Sequence, residues 1–368
     1  MNILYVTTIG GTMGFFENFI KELLAGGHTV DAAANETISK VPDCYREWGC
    51  QVYQLSCSRS PLDKRNLEAI RQIQRIVADG RYDIVHCHTP IAAMCTRFAC
   101  RKLRKQGTKV FYTAHGFHFY KGAPLKNWLI YYPVEWLCAH WTDTLITINQ
   151  EDYAFAQKHL HAGRVEYVPG VGIDVAKFRD AKVDRGEKRR QLGMPKDAFL
   201  LLSVGELNEN KNHITVIRAL AALQDKNVHY AIAGRGKLYD TLLQQARELG
   251  VADQLYLLGH RDDMPELYKA ADVDVFPSIR EGLGLAAIEG MVAGLPLICA
   301  DNRGTRDYAT KENAIVCNAT DVDAYAAAIQ KLRDDEYLRE QMGIYATQSA
   351  SRFERAEINS SMKRIYGI

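Results

Sequence analysis

ILYVTTIGGTMG, residues 3–14, is an apolar run followed by a turn that contains paired glycines. The apolar run predicts a buried β-strand at Ile3–Thr7, and the residues after the turn predict a helix at about Gly14–Ala25. This alternation of strand and helix recurs along the chain, and it restarts at Phe199–Val204. Strands separated by crossover helices form parallel sheets that are covered on both faces. The sequence therefore predicts an α/β protein with two doubly wound, Rossmann-like domains.

The boundary between the two series lies near Gly170–Asp174, where Pro169-Gly170-Val171-Gly172 interrupts the pattern and a charge-rich stretch follows. We predict domains at residues 1–172 and 173–350, and a helix in residues 351–368 that packs back on the first domain. The first series predicts strands at Ile3–Thr7, Thr29–Ala33, Gln51–Gln54, Asp83–His86, Lys109–Thr113, Thr144–Thr147 and Val165–Val168. The second series predicts strands at Phe199–Val204, His229–Ala233, Leu255–Leu258, Val273–Phe276 and Pro296–Ala300.

The composition is that of an ordinary globular protein. The 368 residues are 47% hydrophobic and 24% charged, which excludes a disordered, collagen-like or coiled-coil chain. No apolar stretch is long enough to predict a membrane-spanning helix, and the start MNILYV lacks the basic leader of a signal peptide. The nine cysteines are scattered without a Cys-x-x-Cys pair. They indicate reduced thiols and a cytoplasmic location.

Charge is distributed unevenly. The segment Arg59–Lys126 contains 14 Lys and Arg against 4 Asp and Glu, whereas the whole chain has a net charge of only +2. An excess of this size would attract phosphates or an anionic membrane surface. Solvated faces of two helices, predicted at Lys64–Ala78 and Pro90–Lys105, would explain it equally well.

Ligands of parallel sheets bind beyond the carboxyl ends of the strands, so the loops there are the first candidates for a site. The loop after the first strand contains Gly10 and Gly11, whose amides could approach a phosphate. It lacks the full Gly-x-Gly-x-x-Gly pattern, and no acidic residue ends the second strand, which disfavours a dinucleotide-dependent dehydrogenase. Three later loops combine glycine with a cation and favour an anionic ligand: Gly205 with Lys211, Gly234 and Gly236 with Arg235, and Gly259 with Arg261.

The strongest local signal is PSIREGLGLAAIE at residues 277–289. Glu281 ends a loop, Gly282 and Gly284 free the backbone, and a helix is predicted to start near Gly284. Glu289 follows about one and a half turns into that helix. Two carboxylates placed on either side of a helix N-terminus can accept hydrogen bonds from hydroxyl groups, while the helix amides bind a phosphate.

These residues resemble the family 4 retaining glycosyltransferases of the GT-B fold, and the resemblance covers nearly the whole chain. Its most specific element is the Glu-x7-Glu motif, Glu281 to Glu289, in a Pro-Ser-x-x-Glu-Gly-x-Gly setting. Lys211 matches the family's phosphate-binding lysine, and His115 matches a strand-end histidine that contacts the donor sugar or its phosphate. The family often has arginine where this chain has Glu206. We interpret this difference as a trait of the subgroup that acts on bacterial surface polysaccharides and lipid-linked sugars.

The resemblance implies a nucleotide-diphosphate sugar, most simply a UDP-sugar, bound in a cleft between two domains that face each other. It implies that residues 1–172 bind the acceptor and residues 173–350 bind the nucleotide sugar. Lys211, Glu281 and His115 are then the expected catalytic residues. The residues expected to bind the donor are Gly10, Gly11, Gly205, Arg235, Arg261, Gly282, Leu283, Gly284 and Glu289. No cofactor or metal ion is expected, because lysine and backbone amides would neutralise the departing diphosphate.

The resemblance further implies transfer with retention to a hydroxyl of a glycan acceptor. That acceptor is expected to be linked to polyprenyl diphosphate, in the synthesis of capsule or exopolysaccharide by a hexosyl- or N-acetylhexosaminyltransferase. The aromatic stretch from Phe117 to Trp141, together with the basic segment, favours peripheral contact with an anionic membrane, although the same rings could form the domain core. No nucleic-acid partner is expected.

Two other functions remain open from the sequence. A UDP-sugar 2-epimerase of similar architecture would isomerise its substrate without an acceptor, and a catalytically silent subunit would stabilise a partner. The presence of Lys211, His115 and both motif glutamates favours the transferase. His86-Cys87-His88 lacks a third ligand in the sequence, so we interpret its histidines as packing residues and not as a metal site.

Overall fold

The computed structural model describes all residues, 1–368, and the chain forms two compact units. The first unit contains Met1–Val171 and Asn359–Ile368, and the second contains Gly172–Ile358. Gly172 and residues 351–358 thus group with the second unit, whereas the sequence analysis placed them in the first domain and the terminal segment.

The first unit contains a parallel sheet of seven strands in the order β3-β2-β1-β4-β5-β6-β7. Its strands are β1 (Asn2–Ile9), β2 (Thr29–Asn35), β3 (Val52–Gln54), β4 (Ile84–His88), β5 (Lys109–Ala114), β6 (Thr144–Thr147) and β7 (Arg164–Tyr167). Its helices are α1 (Glu17–Ala25), α2 (Cys44–Glu47), α3 (Arg65–Gly80), α4 (Pro90–Cys100), α5 (Leu125–Ala139) and α6 (Gln150–His159). All seven predicted strands are present, with ends that differ by a few residues.

The centre of this sheet is fully enclosed. Every residue of β4 is buried, as expected for a parallel strand with helices on both faces. Strand β1 pairs with β2 on one side and β4 on the other, so the strand order reverses between β1 and β4. In such sheets this reversal point is where ligands bind.

The second unit has a parallel sheet of six strands in the order β10-β9-β8-β11-β12-β13. Its strands are β8 (Phe199–Val204), β9 (Val228–Ala233), β10 (Leu255–Gly259), β11 (Val273–Phe276), β12 (Leu297–Ala300) and β13 (Ala314–Cys317). Its helices are α7 (Val175–Arg179), α8 (Arg185–Gln191), α9 (His213–Leu223), α10 (Tyr239–Glu248), α11 (Met264–Ala270), α12 (Leu285–Val292), α13 (Val322–Asp334) and α14 (Glu336–Ala350). Here the order reverses between β8 and β11.

Several elements differ from the prediction. The sequence analysis missed β13, a four-residue edge strand in which Val316 is exposed, so its apolar run was too short to indicate a strand. The predicted helix at Pro90–Lys105 ends at Cys100 and is followed by a 3₁₀ turn at Leu103–Gln106. The predicted helix at Gly14–Ala25 begins instead as a 3₁₀ helix at Gly10–Phe16. The charge-rich stretch after the boundary contains α7 and α8.

The last helix, α15 (Arg355–Tyr366), ends in the first unit. Asn359 Nδ2 and Lys363 Nζ each lie 2.6 Å from a carboxylate oxygen of Glu22. The Tyr366 hydroxyl lies 2.9 Å from the Tyr5 hydroxyl and 2.6 Å from His86 Nδ1, both on central strands. The end of α15 is therefore part of the buried core of the first unit. No helix of the chain is both long and apolar enough to cross a membrane.

Candidate active site

An ion pair between Lys211 and Glu281 lies at the reversal point of the second sheet. Lys211 follows β8 and Glu281 follows β11, the two strands at which the order reverses. Lys211 Nζ lies 2.6 Å from Glu281 Oε1, and the two side chains are 20% and 17% exposed. The structure thus brings together two predicted catalytic residues that are 70 positions apart, at the edge where doubly wound sheets bind ligands.

Three asparagines at every second position of the loop after β8 hold this pair in place. Asn208 Oδ1 accepts a hydrogen bond of 3.0 Å from the backbone N–H of Lys211. Asn210 Nδ2 donates to the backbone carbonyl of Arg280 at 2.9 Å, and Asn212 Nδ2 donates to a carbonyl of the same β11 loop at 3.2 Å. The sequence analysis did not identify these asparagines, although their regular spacing around Lys211 was visible.

Two glycines lie in close contact with side chains of the site. A Cβ atom at Gly205 would lie 3.0 Å from Cε of Lys211, whose side chain folds back over this glycine. Gly284 has a φ of 91° at the start of α12, and a Cβ atom there would lie 2.7 Å from the ring of Phe276. The Phe276 ring also lies 5.1 Å from Lys211 Nζ, a cation–π contact. Glycine at both positions therefore permits the observed arrangement around Lys211.

Glu289 lies on α12 in a setting that favours its protonated form. Burial raises the pKa of Glu289 to about 7, and the opposing effects of Lys177 and of the Tyr268 hydroxyl, 3.5 Å away, are smaller. Burial, followed by the charge of Glu289, also raises the pKa of Asp274 well above its usual range. Glu289 is therefore poised to change its charge near neutral pH.

Three further cations of the second unit differ in their surroundings. Arg261 is engaged by Asp263, with Nε 2.8 Å from Oδ1, and Arg235 is exposed without an ion-pair partner. Arg303 is buried, and its Nε lies 3.4 Å from the backbone carbonyl of Glu281. Arg303 is thus a cation beside the site that the sequence analysis did not identify. Its signal was a glycine-cation pair after β12, Arg303-Gly304, like those of the earlier loops.

Gly10, Gly11 and His115 belong to the first unit. The Gly10 N–H donates a 2.9 Å hydrogen bond to the carbonyl of Ser39, so this amide is not free to bind a phosphate as the sequence analysis expected. His115 Nε2 lies 3.1 Å from Nδ1 of His88. Burial lowers the pKa of His115 to about 4, which keeps it neutral at pH 7.

The second unit therefore gathers most of the predicted site around one loop and one helix start. Gly205, Lys211 and Glu281 are in contact or joined by an ion pair, and Gly282, Leu283, Gly284 and Glu289 follow Glu281 directly along the chain. Within the first unit, His86 hydrogen-bonds to Thr113 through Nε2 at 2.8 Å. No group of three or more His, Cys, Asp or Glu side chains is arranged to hold a metal ion.

The two doubly wound parallel sheets form the GT-B architecture that the sequence analysis expected. Residues 10–170 match the glycosyl transferase 4-like domain, and residues 184–349 match the glycosyl transferases group 1. The chain belongs to this glycosyltransferase family.

Relatives of known name agree with this assignment. The chain is 41% identical over 320 residues to the glycosyltransferase EpsD of Bacillus subtilis, a match that covers 85% of this chain and 84% of that protein. It is 28% identical over 283 residues to the Escherichia coli UDP-Gal:α-D-GlcNAc-diphosphoundecaprenol α-1,3-galactosyltransferase, covering 74% and 72% of the two chains.

Among solved structures, the Anabaena protein HepE in complex with UDP superposes with a TM-score of 0.83. The match covers 100% of both chains at 20% sequence identity. At this identity the similarity concerns the fold, and it confirms the predicted GT-B class.

Proposed function

We propose that this protein transfers a sugar from a UDP-sugar to a hydroxyl of a glycan linked to polyprenyl diphosphate, in the synthesis of a bacterial surface polysaccharide. The Lys211–Glu281 pair at the reversal point of the second sheet carries the proposal. It is supported by the Escherichia coli relative, whose name states both a UDP-sugar donor and a diphosphoundecaprenol acceptor.

The donor would bind with its diphosphate between Lys211 and the start of α12. As the bond between the anomeric carbon and the diphosphate breaks, negative charge grows on the leaving oxygen. The Lys211 ammonium and the amides of Gly282–Gly284 would stabilise that charge, which is where fixed donors contribute most to catalysis. The ion pair with Glu281 holds Lys211 in position before the donor arrives.

The two motif glutamates would bind hydroxyl groups on opposite sides of the diphosphate. Glu281 would accept from the transferred sugar and Glu289 from the ribose, because carboxylate oxygens are strong acceptors. His115 of the first unit, neutral at pH 7, can act as a hydrogen-bonding group and not as a cation.

Transfer would proceed with retention of anomeric configuration. The acceptor oxygen attacks the anomeric carbon from the side of the leaving group, the bond to the diphosphate breaks, and the acceptor proton passes to a diphosphate oxygen. This route requires neither a protein nucleophile nor a metal ion, and it leaves UDP and the extended glycan.

The test is a transfer assay with purified protein, a panel of UDP-sugars and a GlcNAc-diphospho-lipid acceptor. We expect one UDP-sugar to give a product larger by one sugar, with an α linkage by NMR and unchanged activity in EDTA. The Lys211→Ala variant serves as the inactive control. Isomerised sugar nucleotide without acceptor would instead identify an epimerase, and no turnover of any donor would identify a silent subunit. Either result would overturn the proposal.

A further inference from the structure

Two histidines meet at the carboxyl ends of neighbouring strands in the first sheet. His88 is the last residue of β4, and His115 directly follows the last residue of β5. Strands β4 and β5 are paired, with His88 opposite Thr113. His88 Nδ1 lies 3.1 Å from His115 Nε2, and the two ring centroids are 5.3 Å apart. The pair therefore lies at the edge where parallel sheets bind their ligands.

The two rings differ in their surroundings. His88 is 2% exposed, and its ring stacks on Phe16 and on Tyr5 with centroids 4.0 Å and 5.5 Å away. His115 is partly exposed. Because His88 occupies Nε2 of His115, Nδ1 is the ring nitrogen of His115 that can meet a ligand. His88 is thus enclosed and held by its neighbours, whereas His115 is the member of the pair that a substrate can reach.

Both rings are neutral at pH 7. Burial lowers the pKa of His88 well below its usual range, and the charges of His86 and His115 lower it further. Burial also lowers the pKa of His115 to about 4. A neutral imidazole carries one proton, so one of its nitrogens donates a hydrogen bond and the other accepts one. Nε2 of His88 is buried and has no hydrogen-bond partner.

The hydrogen bond between the rings links their two protonation patterns. If His88 Nδ1 donates, both rings carry their proton on Nδ1, and the unpartnered Nε2 of His88 is an acceptor. If His115 Nε2 donates, both rings carry their proton on Nε2, and His88 Nε2 becomes a buried donor without a partner. An N–H buried without a partner is rarer in proteins than an acceptor in the same position. This difference favours donation from His88, which leaves the proton of His115 on Nδ1.

We propose that His88 is a positioning residue, which holds the ring of His115 and keeps its proton on Nδ1, so that His115 donates a hydrogen bond to an oxygen of the sugar substrate. A histidine without such a partner exchanges its proton between the two nitrogens, and the hydrogen bond made by one nitrogen decides the state of the other. The buried and stacked ring of His88 supplies a fixed partner. This assignment rests on the proposed function, because His115 acts in that reaction.

Nitrogen-15 NMR of the histidine rings tests the proton positions without any substrate. In the wild type at pH 7 we expect both His88 and His115 to carry their proton on Nδ1. In the His88→Phe variant, which keeps a ring but removes the hydrogen bond, His115 should become a mixture of the two forms. A wild-type His115 that carries its proton on Nε2, or a His115 that is unchanged in His88→Phe, would overturn the proposal.

Two substitutions of His88 separate its hydrogen bond from its packing. His88→Phe retains an aromatic ring beside Phe16, whereas His88→Asn places an amide N–H at the position of Nδ1 but removes most of the ring. We expect His88→Phe to lower kcat about tenfold to a hundredfold at nearly unchanged Tm, the usual cost of misplacing one group of a site. His88→Asn should lower Tm but retain most of kcat. The opposite pattern, with activity lost only in His88→Asn, would show that His88 serves packing alone and would overturn the proposal.

His229→Phe is the matched control, because His229 is a buried histidine of the second unit whose Nδ1 also has no partner. It should leave kcat within about twofold of the wild type, and a loss as large as that of His88→Phe would overturn the proposal.

A double variant tests whether His88 acts through His115. Adding His88→Phe to His115→Ala should lower kcat no further, because the effects of two coupled residues are not additive. A further loss as large as that of His88→Phe alone would show that His88 acts independently and would overturn the proposal. If the ring protons respond as expected but no donor is turned over, the proposed function fails while the link between the two histidines stands. If sugar is transferred and His88→Phe keeps the wild-type kcat, the proposed function stands and this proposal fails.

Discussion

At the scale of single residues, Lys211 carries the largest expected contribution to turnover. Its ammonium lies 2.6 Å from Glu281, and in the proposed reaction it stabilises the departing diphosphate. We expect Lys211→Ala to lower kcat by about 10²–10³, the usual effect of removing one preorganised donor to a developing negative charge. The measurement is a steady-state transfer assay at saturating donor.

Lys237→Ala is the matched control, because Lys237 is a mostly exposed lysine of the same unit that pairs with Glu209 at 3.0 Å. It should leave kcat within about twofold of the wild type, since exposed ion pairs contribute little. A loss of similar size in both variants would show that general charge, and not the position of Lys211, governs turnover.

The raised pKa of Glu289 predicts that donor affinity depends on pH. Its pKa of about 7 means that the ionised fraction rises between pH 6 and pH 8, and only the ionised carboxylate is a pure acceptor for ribose hydroxyls. Affinity should therefore increase with pH, by about tenfold across this range if the ionised form alone binds. Calorimetry with UDP-galactose measures it, because the diphosphate of a UDP-sugar does not titrate there.

Glu289→Gln should flatten this profile, because the amide does not titrate. A wild-type affinity that is constant with pH, or that falls as pH rises, would remove the assignment of Glu289 to the ribose.

Residues of the candidate site could be predicted from the sequence where they lie close together along the chain in a distinctive pattern. Glu281, Gly284 and Glu289 lie within nine positions, so the motif alone indicated a loop, a helix start and a second carboxylate. Arg303 could not be placed in this way, because its contact with the Glu281 backbone arises from the packing of two separate strand-end loops. The occupied amide of Gly10 is likewise a long-range effect, set by Ser39.

At the scale of elements, the start of α12 depends on the conformation of Gly284. We expect Gly284→Ala to destabilise the second unit by about 2–3 kcal/mol, because alanine is strained at a φ of 91° and its Cβ would also contact the Phe276 ring. Thermal unfolding measures the loss. UDP binding should weaken too, since the amides at the start of α12 shift.

Gly250→Ala separates strain from steric contact. Gly250 has a φ of 71°, but a Cβ atom added there would have no other atom within 4 Å, so this variant should lose only about 1 kcal/mol. Equal losses in the two variants would show that the Phe276 contact has no effect on stability.

Element prediction found every strand except the edge strand β13. Strand β4 is buried along its whole length and β8 over its middle residues, as expected for central strands of a parallel sheet. The edge strand β13 is half exposed and short, so periodicity carries little information there. The asparagines around Lys211 tie two loops together by hydrogen bonds, and no periodic pattern encodes such contacts.

At the scale of the whole molecule, both sheets could be predicted because each strand-helix pair carries its own local signal. The division into two units could not be predicted in this way, because it depends on where α15 ends. Tyr366 joins a buried hydrogen-bonded group with Tyr5 and His86, more than 270 positions earlier in the chain. A helical pattern near the end of the sequence indicates a helix but not the partners of its last turn.

The first unit also carries exposed apolar side chains on a helix that directly follows a basic segment. On α5, Leu125 is 73% exposed and Leu129 is 69% exposed, within or beside the segment 59–126 that has a large excess of Lys and Arg. Basic residues beside exposed apolar side chains favour the surface of an anionic bilayer. We expect the protein to sediment with vesicles that contain phosphatidylglycerol and less with vesicles of phosphatidylcholine alone.

Salt and substitution distinguish the two contributions to that binding. Raising the ionic strength from about 0.05 to about 0.5 M should release most of the bound protein, because screening shortens the reach of the basic segment. The double variant Leu125→Glu, Leu129→Glu should bind weakly even at low salt, whereas Tyr337→Glu, at an equally exposed position of the second unit, should bind as the wild type does. Binding that is insensitive to both salt and the α5 substitutions would place the membrane contact elsewhere.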